Sequence, residues 1–202
     1  MKKSLLILAL AVFSFASAQK GTVLVLGNVG LWSNTNSNEA GESKSENFSF
    51  SPKVGYQFKD NWTVGVETGF LSSKNQYTNL ENGSNNQERI SKNFSAGGFV
   101  RYSKSLSQMF LLYVDLGAGY QNLKETNSNS FSGPASFTET FDGFYTSFAP
   151  GLFLNIKNNF GLNFGIGGLT YSNTKSDQNN GKNSNFYINF GQSFNIGISK
   201  NF

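Results

Sequence analysis

Four charged side chains stand inside segments that otherwise alternate apolar residues with glycine and small polar residues, and they are Lys53, Glu67, Arg101 and Asp115. A tight turn between the first two of these segments would set Lys53 directly opposite Glu67 in an antiparallel pair. Because charges withdrawn from water need partners, Arg101 is expected to share Glu67, with Asp115 beyond it. The four residues could form a structural ion network that fixes strand register. They could also form a small gate whose ion pairs rearrange to pass ions.

The residue types that are missing limit which catalytic and metal-binding sites the chain can form. The 202-residue chain has no cysteine and no histidine, which excludes His-dependent triads, thiol nucleophiles, disulfides and thiolate zinc sites. Acidic residues do occur in polar segments, at Glu39, Glu42, Glu46, Glu81 and Glu88. They favour a solvated surface; a loop calcium site is the alternative, although its ligand pattern is absent. We therefore predict no catalytic residues, no cofactor and no metal site, and a protein that is not an enzyme.

The N-terminal segment has the pattern of a secretory signal peptide. Two lysines precede an apolar core at residues 5–15, and small residues follow at 16–18. The alternative, a membrane anchor helix, needs an apolar run of about 20 residues. We predict a signal peptide over residues 1–18 and a single domain over residues 19–202.

The charge balance does not favour nucleic acid as a partner. Removing Lys2 and Lys3 lowers the formal net charge from +4 to +2. The remaining lysines are scattered through polar segments rather than gathered in a basic stripe. No segment after residue 18 holds 18 consecutive apolar residues, so if the exported chain spans a membrane it must do so with β-strands.

Strict alternation of residue types marks strand after strand. The even positions from 186 to 202 are mostly Phe and Ile, whereas the odd positions are mostly Asn, Gly and Ser. A period of two indicates a strand with one apolar and one polar face. Seven further segments share the pattern, so the predicted strands cover residues 21–32, 47–59, 62–71, 93–103, 109–121, 144–156, 160–171 and 185–202. Their lengths are typical of membrane-spanning strands, which need about 9–11 residues.

The connections between these strands alternate in length. Short connections lie at 59–61, 103–108 and 157–159, and long polar ones lie at 33–46, 73–91, 124–141 and 172–185. Short periplasmic turns and longer extracellular loops are typical of outer-membrane barrels. The sequence therefore predicts an all-β, eight-stranded, antiparallel, up-and-down transmembrane β-barrel with both mature termini in the periplasm.

Local backbone expectations follow from particular residues. Asparagine in the short turns tolerates the left-handed conformation that a tight hairpin requires, and Phe58 is expected opposite Trp62. Pro52 and Pro150 fall in mid-strand, where each removes a ladder hydrogen bond. We expect a local bulge at both prolines.

Aromatic residues gather where the strands meet the short turns. They are predicted to form a girdle at the periplasmic interface, which consists of Phe58, Trp62, Tyr102, Phe110 and Phe160. The opposite face is rich in glycine and is filled by rings, among them those of Phe99, Tyr113, Tyr145, Phe153, Tyr171 and Tyr187. An eight-stranded barrel is just wide enough for side chains, so the lumen is predicted to be largely filled.

With these features, the chain resembles the outer membrane β-barrel domain family of Gram-negative bacteria, and its layout is similar to that of outer membrane proteins A and X. The most specific resemblance is the C-terminal segment with Asn195, Gly197, Ile198 and Phe202, which is similar to the signal read by the barrel-assembly machinery; Lys200 departs from that pattern. The resemblance implies contact with outer-membrane lipid, periplasmic chaperones and that machinery, and a monomeric barrel.

Three functions remain open at the level of sequence. The first is a structural or surface-interaction role through four long extracellular loops, with no partner named. The second is a narrow porin-like barrel that passes ions or a small hydrophobic solute. The third is a soluble exported ligand-binding barrel, which would require no detergent for extraction.

Overall fold

The chain folds into one closed barrel of eight antiparallel strands, each paired with its neighbours in sequence order. The computed structural model describes residues 21–39, 41–79, 86–129, 135–158, 160–178 and 181–201. The strands are β1 (Val23–Ser37), β2 (Gly41–Lys59), β3 (Trp62–Asn79), β4 (Asn86–Ser105), β5 (Phe110–Asn129), β6 (Ala135–Lys157), β7 (Phe160–Ser176) and β8 (Lys182–Asn201). The predicted signal peptide and Phe202 lie outside these residues. No helix long and apolar enough to cross a bilayer occurs in the described ranges.

Alternation sorts the side chains into an inner and an outer face. Among the described residues, five of the six buried apolar side chains point into the barrel near the end that carries the short turns, and they are Leu24, Leu26, Phe99, Tyr113 and Phe153. The outer face exposes apolar side chains all round, including Val25, Val64, Val66, Leu112, Leu116, Ile196 and Ile198. The barrel closes where β1 pairs with β8 over Leu24–Gly27 and Ile198–Asn201.

The bounds predicted for the four long loops are wrong. Strands of 15–23 residues continue through most of those segments, and β1 already turns into β2 through a hairpin in which Asn38 N–H donates to the Gly41 carbonyl at 2.9 Å. Beyond the apolar band both faces of the ladder meet water, so the period-two signal disappears while backbone pairing persists. The polar segments are therefore extensions of the barrel wall.

The predicted tight hairpins are present and share one construction. Lys59 lies opposite Trp62 and Lys157 lies opposite Phe160, each next to a bulge in the preceding strand. Phe58 occupies the first bulge instead of pairing with Trp62 as expected. Asn158 adopts the left-handed conformation (φ 50°), as the turn chemistry predicts. The third connection is shorter than predicted, because β4 extends to Ser105 and β5 begins at Phe110.

The two mid-strand prolines behave differently. The pairing of β6 with β7 shifts register between Phe148 and Gly151, so the irregularity expected at Pro150 is confirmed. The expectation of a bulge at Pro52 is wrong: β2 keeps one register with β3 on both sides of it, and only the pairs at Ser51 and Pro52 are missing. A missing N–H removes ladder bonds without requiring an extra residue.

The alternation of inward-pointing and outward-pointing side chains shifts by one residue in the middle of β7. Gly167 has a left-handed backbone (φ 96°) at the point where the pairings with both neighbours shift. As a result Tyr171, predicted to fill the lumen, lies on the outer face with its ring 6.0 Å from that of Phe144.

Candidate functional site

The four predicted interior charges meet in one layer across the barrel. Lys53 Nζ lies 2.6 Å from Glu67 Oε2 and 3.3 Å from Asp115 Oδ2. The Arg101 guanidinium donates to both Asp115 oxygens, at 2.6 Å and 2.9 Å. The layer contains two positive and two negative charges, so it is neutral as a unit. Neutralisation and hydrogen bonding are the conditions under which charges persist away from water.

The expected sharing of Glu67 by Arg101 is wrong, and strand register gives the reason. Arg101 lies directly opposite Asp115 on β5, whereas β3 sets Thr63 opposite Arg101 and Gly97 opposite Glu67. Glu67 is instead bound by Lys53 from β2, where these two residues are directly opposite each other.

Sequence reasoning missed the roles of three interior rings. Tyr145 reaches across the lumen from β6 to β3, where its hydroxyl donates to Glu67 Oε1 at a distance of 2.8 Å. The Arg101 guanidinium stacks 3.9 Å from the Tyr113 ring centre, and Lys53 Nζ lies 5.2 Å from that of Phe99. Such contacts stabilise a cation beside an aromatic face. A signal was available, since all three rings stand at inward positions near the charges, but contacts across a lumen have no sequence spacing.

Cavities lie on both sides of the charge layer. Toward the short turns, a cavity of about 110 Å³ is lined by Gln57, Thr63 and Arg101 among others. Toward the other end, one of about 260 Å³ is lined by Lys53, Asp115 and other residues. The two share no lining residue, and residues of the charge layer line both of them.

The end with the long hairpins carries a wider opening. A concavity of about 610 Å³ is lined by residues of β2 to β6, most of them on the inner face, and we call it the vestibule. Amides and hydroxyls form most of its wall, and two rings reach into it with large exposed fractions, Tyr77 at 42% and Phe137 at 54%. Ser45 Oγ donates to Asn75 Oδ1 at 2.8 Å, and Arg89 pairs with Glu125 at 2.8 Å. The vestibule is therefore polar, nearly neutral and internally braced.

Charges on the outer face at the vestibule end are held by short contacts. Lys44 lies 2.7 Å from Glu46, and this lysine lowers the pKa of the Glu46 carboxyl from its ordinary value. Donation by Asn122 and Tyr120 lowers the pKa of Asp142. These carboxylates therefore stay ionised at neutral pH.

The predicted aromatic residues stand together at the short-turn end. All five are exposed on the outer face, as a membrane-interface position requires: Phe58, Trp62, Tyr102, Phe110 and Phe160. The rings of Trp62 and Tyr102 lie 5.0 Å apart on neighbouring strands.

The C-terminal segment completes the barrel wall. The backbones of Asn195 and Gly197 pair with β7, and Ile198 bridges β7 and β1 with an exposed side chain. The residues of this segment thus lie at the closure of the barrel. Among the described residues, no group of three or more acidic or other metal-binding side chains is close enough to hold a metal ion.

An apolar outer surface around a closed ladder with charges inside defines a class of protein. Only closed barrels and helices satisfy every backbone polar group in hydrocarbon, and polarity inverted in this way is that of a transmembrane β-barrel. The chain belongs to the outer membrane protein beta-barrel domain family, which it matches over residues 4–194. It is therefore a protein of the bacterial outer membrane with transmembrane β-strands.

Solved structures of small outer-membrane proteins resemble the fold. A major outer membrane protein from Thermus thermophilus is 10% identical, with a TM-score of 0.50 and coverage of 91% of this chain and 100% of that one. OprG from Pseudomonas aeruginosa is 13% identical, with a TM-score of 0.47 and coverage of 90% and 96%. Ail from Yersinia pestis, solved with the heparin analogue sucrose octasulfate, is 17% identical, with a TM-score of 0.41 and coverage of 90% and 97%. Comparison with curated proteins gives no significant match.

Proposed function

We propose that this barrel is a non-conducting, non-enzymatic outer-membrane anchor that presents an interaction surface at its vestibule end. The observation that supports this proposal is the charge layer, which separates the cavities on its two sides. The four charged side chains extend into the centre of the lumen, where an eight-stranded barrel leaves room for little besides side chains.

The surface offered to a partner is the barrel wall itself. The strand extensions take up most of the predicted loop segments, so a partner would meet a braced rim and the vestibule of about 610 Å³. Exposed rings such as Tyr77 and Phe137 among amides supply both apolar contact and hydrogen bonding. A preformed surface loses less conformational entropy on binding than mobile loops do.

This function requires the vestibule to face the exterior and the short turns to face the periplasm, and single cysteines test that orientation. The chain contains no cysteine, so Asp177→Cys in the β7–β8 hairpin and Asp60→Cys in the β2–β3 turn give clean labelling sites. On intact cells, a membrane-impermeant maleimide is expected to label Asp177→Cys but not Asp60→Cys, which reacts only after lysis. The reverse pattern would reject the proposed orientation.

The second candidate function is an ion gate, and it is favoured by the position of the charges. Lys53 and Asp115 face one cavity and Arg101 faces the other, so rearrangement of the layer could join the two. On the first proposal, planar bilayers containing the wild type or Glu67→Ala are expected to show no conductance steps. Glu125→Ala controls for the loss of one carboxylate near the vestibule. Steps from the wild type that change in Glu67→Ala alone would establish the gate.

The same proposal includes a route by which the chain is exported and folded. The chain would be exported through a signal peptide at residues 1–18 and folded as a monomer by periplasmic chaperones and the barrel-assembly machinery. Support comes from the segment with Asn195, Gly197 and Ile198, which lies along the closure of the barrel.

A further inference from the structure

Two lysines face each other directly on the outer surface of the barrel. Lys92 on β4 lies opposite Lys124 on β5, in a register that runs without interruption to the pair of Arg101 and Asp115. Because Arg101 and Asp115 point inward and facing alternates along each strand, both lysines point outward. Both are exposed.

A like-charged pair in this position opposes folding unless something neutralises it. Directly opposed like charges destabilise a sheet. Within the described residues, no carboxylate forms a salt bridge with Lys92 or Lys124. Their other cross-strand neighbours are uncharged, since Ser72 lies opposite Lys92 and Thr140 lies opposite Lys124.

The surrounding charges leave the pair positive. Lys74 stands diagonally to Lys92, but it is 3.0 Å from Glu88, so these two compensate each other. Asp142 stands diagonally to Lys124, but it lies directly opposite Lys175 and also accepts hydrogen bonds from Asn122 and Tyr120. Glu88 and Asp142 are therefore both closer to another lysine than to this pair.

The height of the pair on the barrel indicates what could neutralise it. Phe94 and Tyr120, the nearest outward-facing rings on β4 and β5, are exposed and lie on the membrane side of the lysines. Rings at this position mark the boundary between hydrocarbon and headgroups. The lysine ammonium groups are thus placed at the level of lipid headgroups, where long side chains extend toward the interface.

A second pair repeats the arrangement across the barrel. Lys175 on β7 lies opposite Lys182 on β8, and both are exposed. Here Asp142 lies opposite Lys175 on its other side, so this pair is partly compensated. The stronger site is that of Lys92 and Lys124.

We propose that Lys92 and Lys124 together bind the phosphate of an anionic lipid in the outer leaflet. The assignment to that leaflet rests on the proposed orientation of the barrel, whereas the affinity for lipid phosphate does not. Lysine binds phosphate as a point charge, and one phosphate between two ammonium groups converts their repulsion into two attractions. The barrel would then carry a bound lipid at the β4–β5 face.

Binding is measured on the purified barrel in zwitterionic micelles titrated with diphosphoryl lipid A. The double variant Lys92→Gln/Lys124→Gln is expected to bind about tenfold or more weakly than the wild type. The matched control Lys59→Gln/Lys157→Gln removes two exposed lysines at the opposite end and should bind like the wild type. An uncharged glycolipid and inorganic phosphate are titrated separately, and neither is expected to bind the wild type as tightly as lipid A does. The proposal would be overturned if the double variant and the wild type had equal affinity for lipid A, or if the wild type bound either separate probe as tightly as lipid A.

A second variant keeps the proposal testable if the double variant folds poorly. Lys92→Glu converts the pair into opposite charges, so without lipid its melting temperature is expected to exceed that of the wild type. The rise in melting temperature that lipid A produces in the wild type should be absent in Lys92→Glu. A lipid response equal to that of the wild type would contradict the proposed site. The labelling experiment on intact cells tests orientation independently, so a failure of that proposal is distinguishable from a failure of this one.

Discussion

Replacing Asp115 with alanine is expected to lower the free energy of unfolding of the barrel by about 3–5 kcal/mol. The Arg101 side chain is only 5% exposed and would lose both of its charge-assisted hydrogen bonds. Lys53 would lose its 3.3 Å contact as well. Removing one partner of a buried pair leaves an uncompensated charge, which costs far more than the pair itself contributes.

The control is a second arginine–carboxylate pair on the same two strands. Arg89 and Glu125 also join β4 to β5, but their side chains are 58% and 22% exposed. Glu125→Ala is expected to cost only about 0–1 kcal/mol, because water screens an exposed pair. Urea unfolding in lipid vesicles, followed by tryptophan fluorescence, compares the two variants. Equal losses would contradict the role of burial in the charge layer.

A further variant separates charge from packing. Arg101→Leu/Asp115→Ala removes both charges together, so no buried charge is left without a partner. It is expected to recover part of the loss seen in Asp115→Ala. If the double variant is less stable than Asp115→Ala, the arginine stabilises the barrel through packing on Tyr113 rather than through its partner.

The fold could be predicted from sequence because lipid imposes a rule that every spanning strand must obey. Apolar residues alternate with glycine and small polar residues at membrane level in most of the strands, and the shared odd numbering of Lys53, Glu67, Arg101 and Asp115 indicates that these charges point inward. The pairing of Lys53 with Glu67 followed from the register alone. The family assignment is consistent with this reasoning.

Features without a periodic signal could not be predicted from the sequence. Because water meets both faces of the strand extensions, their residues do not alternate, and in the sequence these parts of the barrel wall resemble loops. Register shifts at Phe58 and Gly167 change pairing locally, and no residue pattern announces them in advance. Partner choice inside the lumen is three-dimensional, which is why the contact of Tyr145 with Glu67 was missed and Arg101 was assigned the wrong carboxylate.

The second large effect is expected at Gly65, where Gly65→Ala should lower the free energy of unfolding by about 1–3 kcal/mol. Gly65 faces Gly55 directly across the ladder on the inner side. An added Cβ would meet the Val54 carbonyl oxygen, and would lie 2.5 Å from Gly55 Cα and 2.7 Å from a ring carbon of Phe99. The backbone atoms cannot rotate away, and the Phe99 ring is only 2% exposed.

The matched control is Gly98, on the neighbouring strand. An added Cβ there points outward, and its nearest heavy atom is the Gly65 carbonyl oxygen at 3.5 Å, an ordinary contact. Gly98→Ala should therefore be neutral or stabilising by up to about 1 kcal/mol, because alanine restricts the unfolded chain. Melting curves from heat-modifiable gel mobility compare the two variants. If both alanines are equally tolerated, the inner wall can relax around Phe99, and the glycine face would not be what permits the filled lumen.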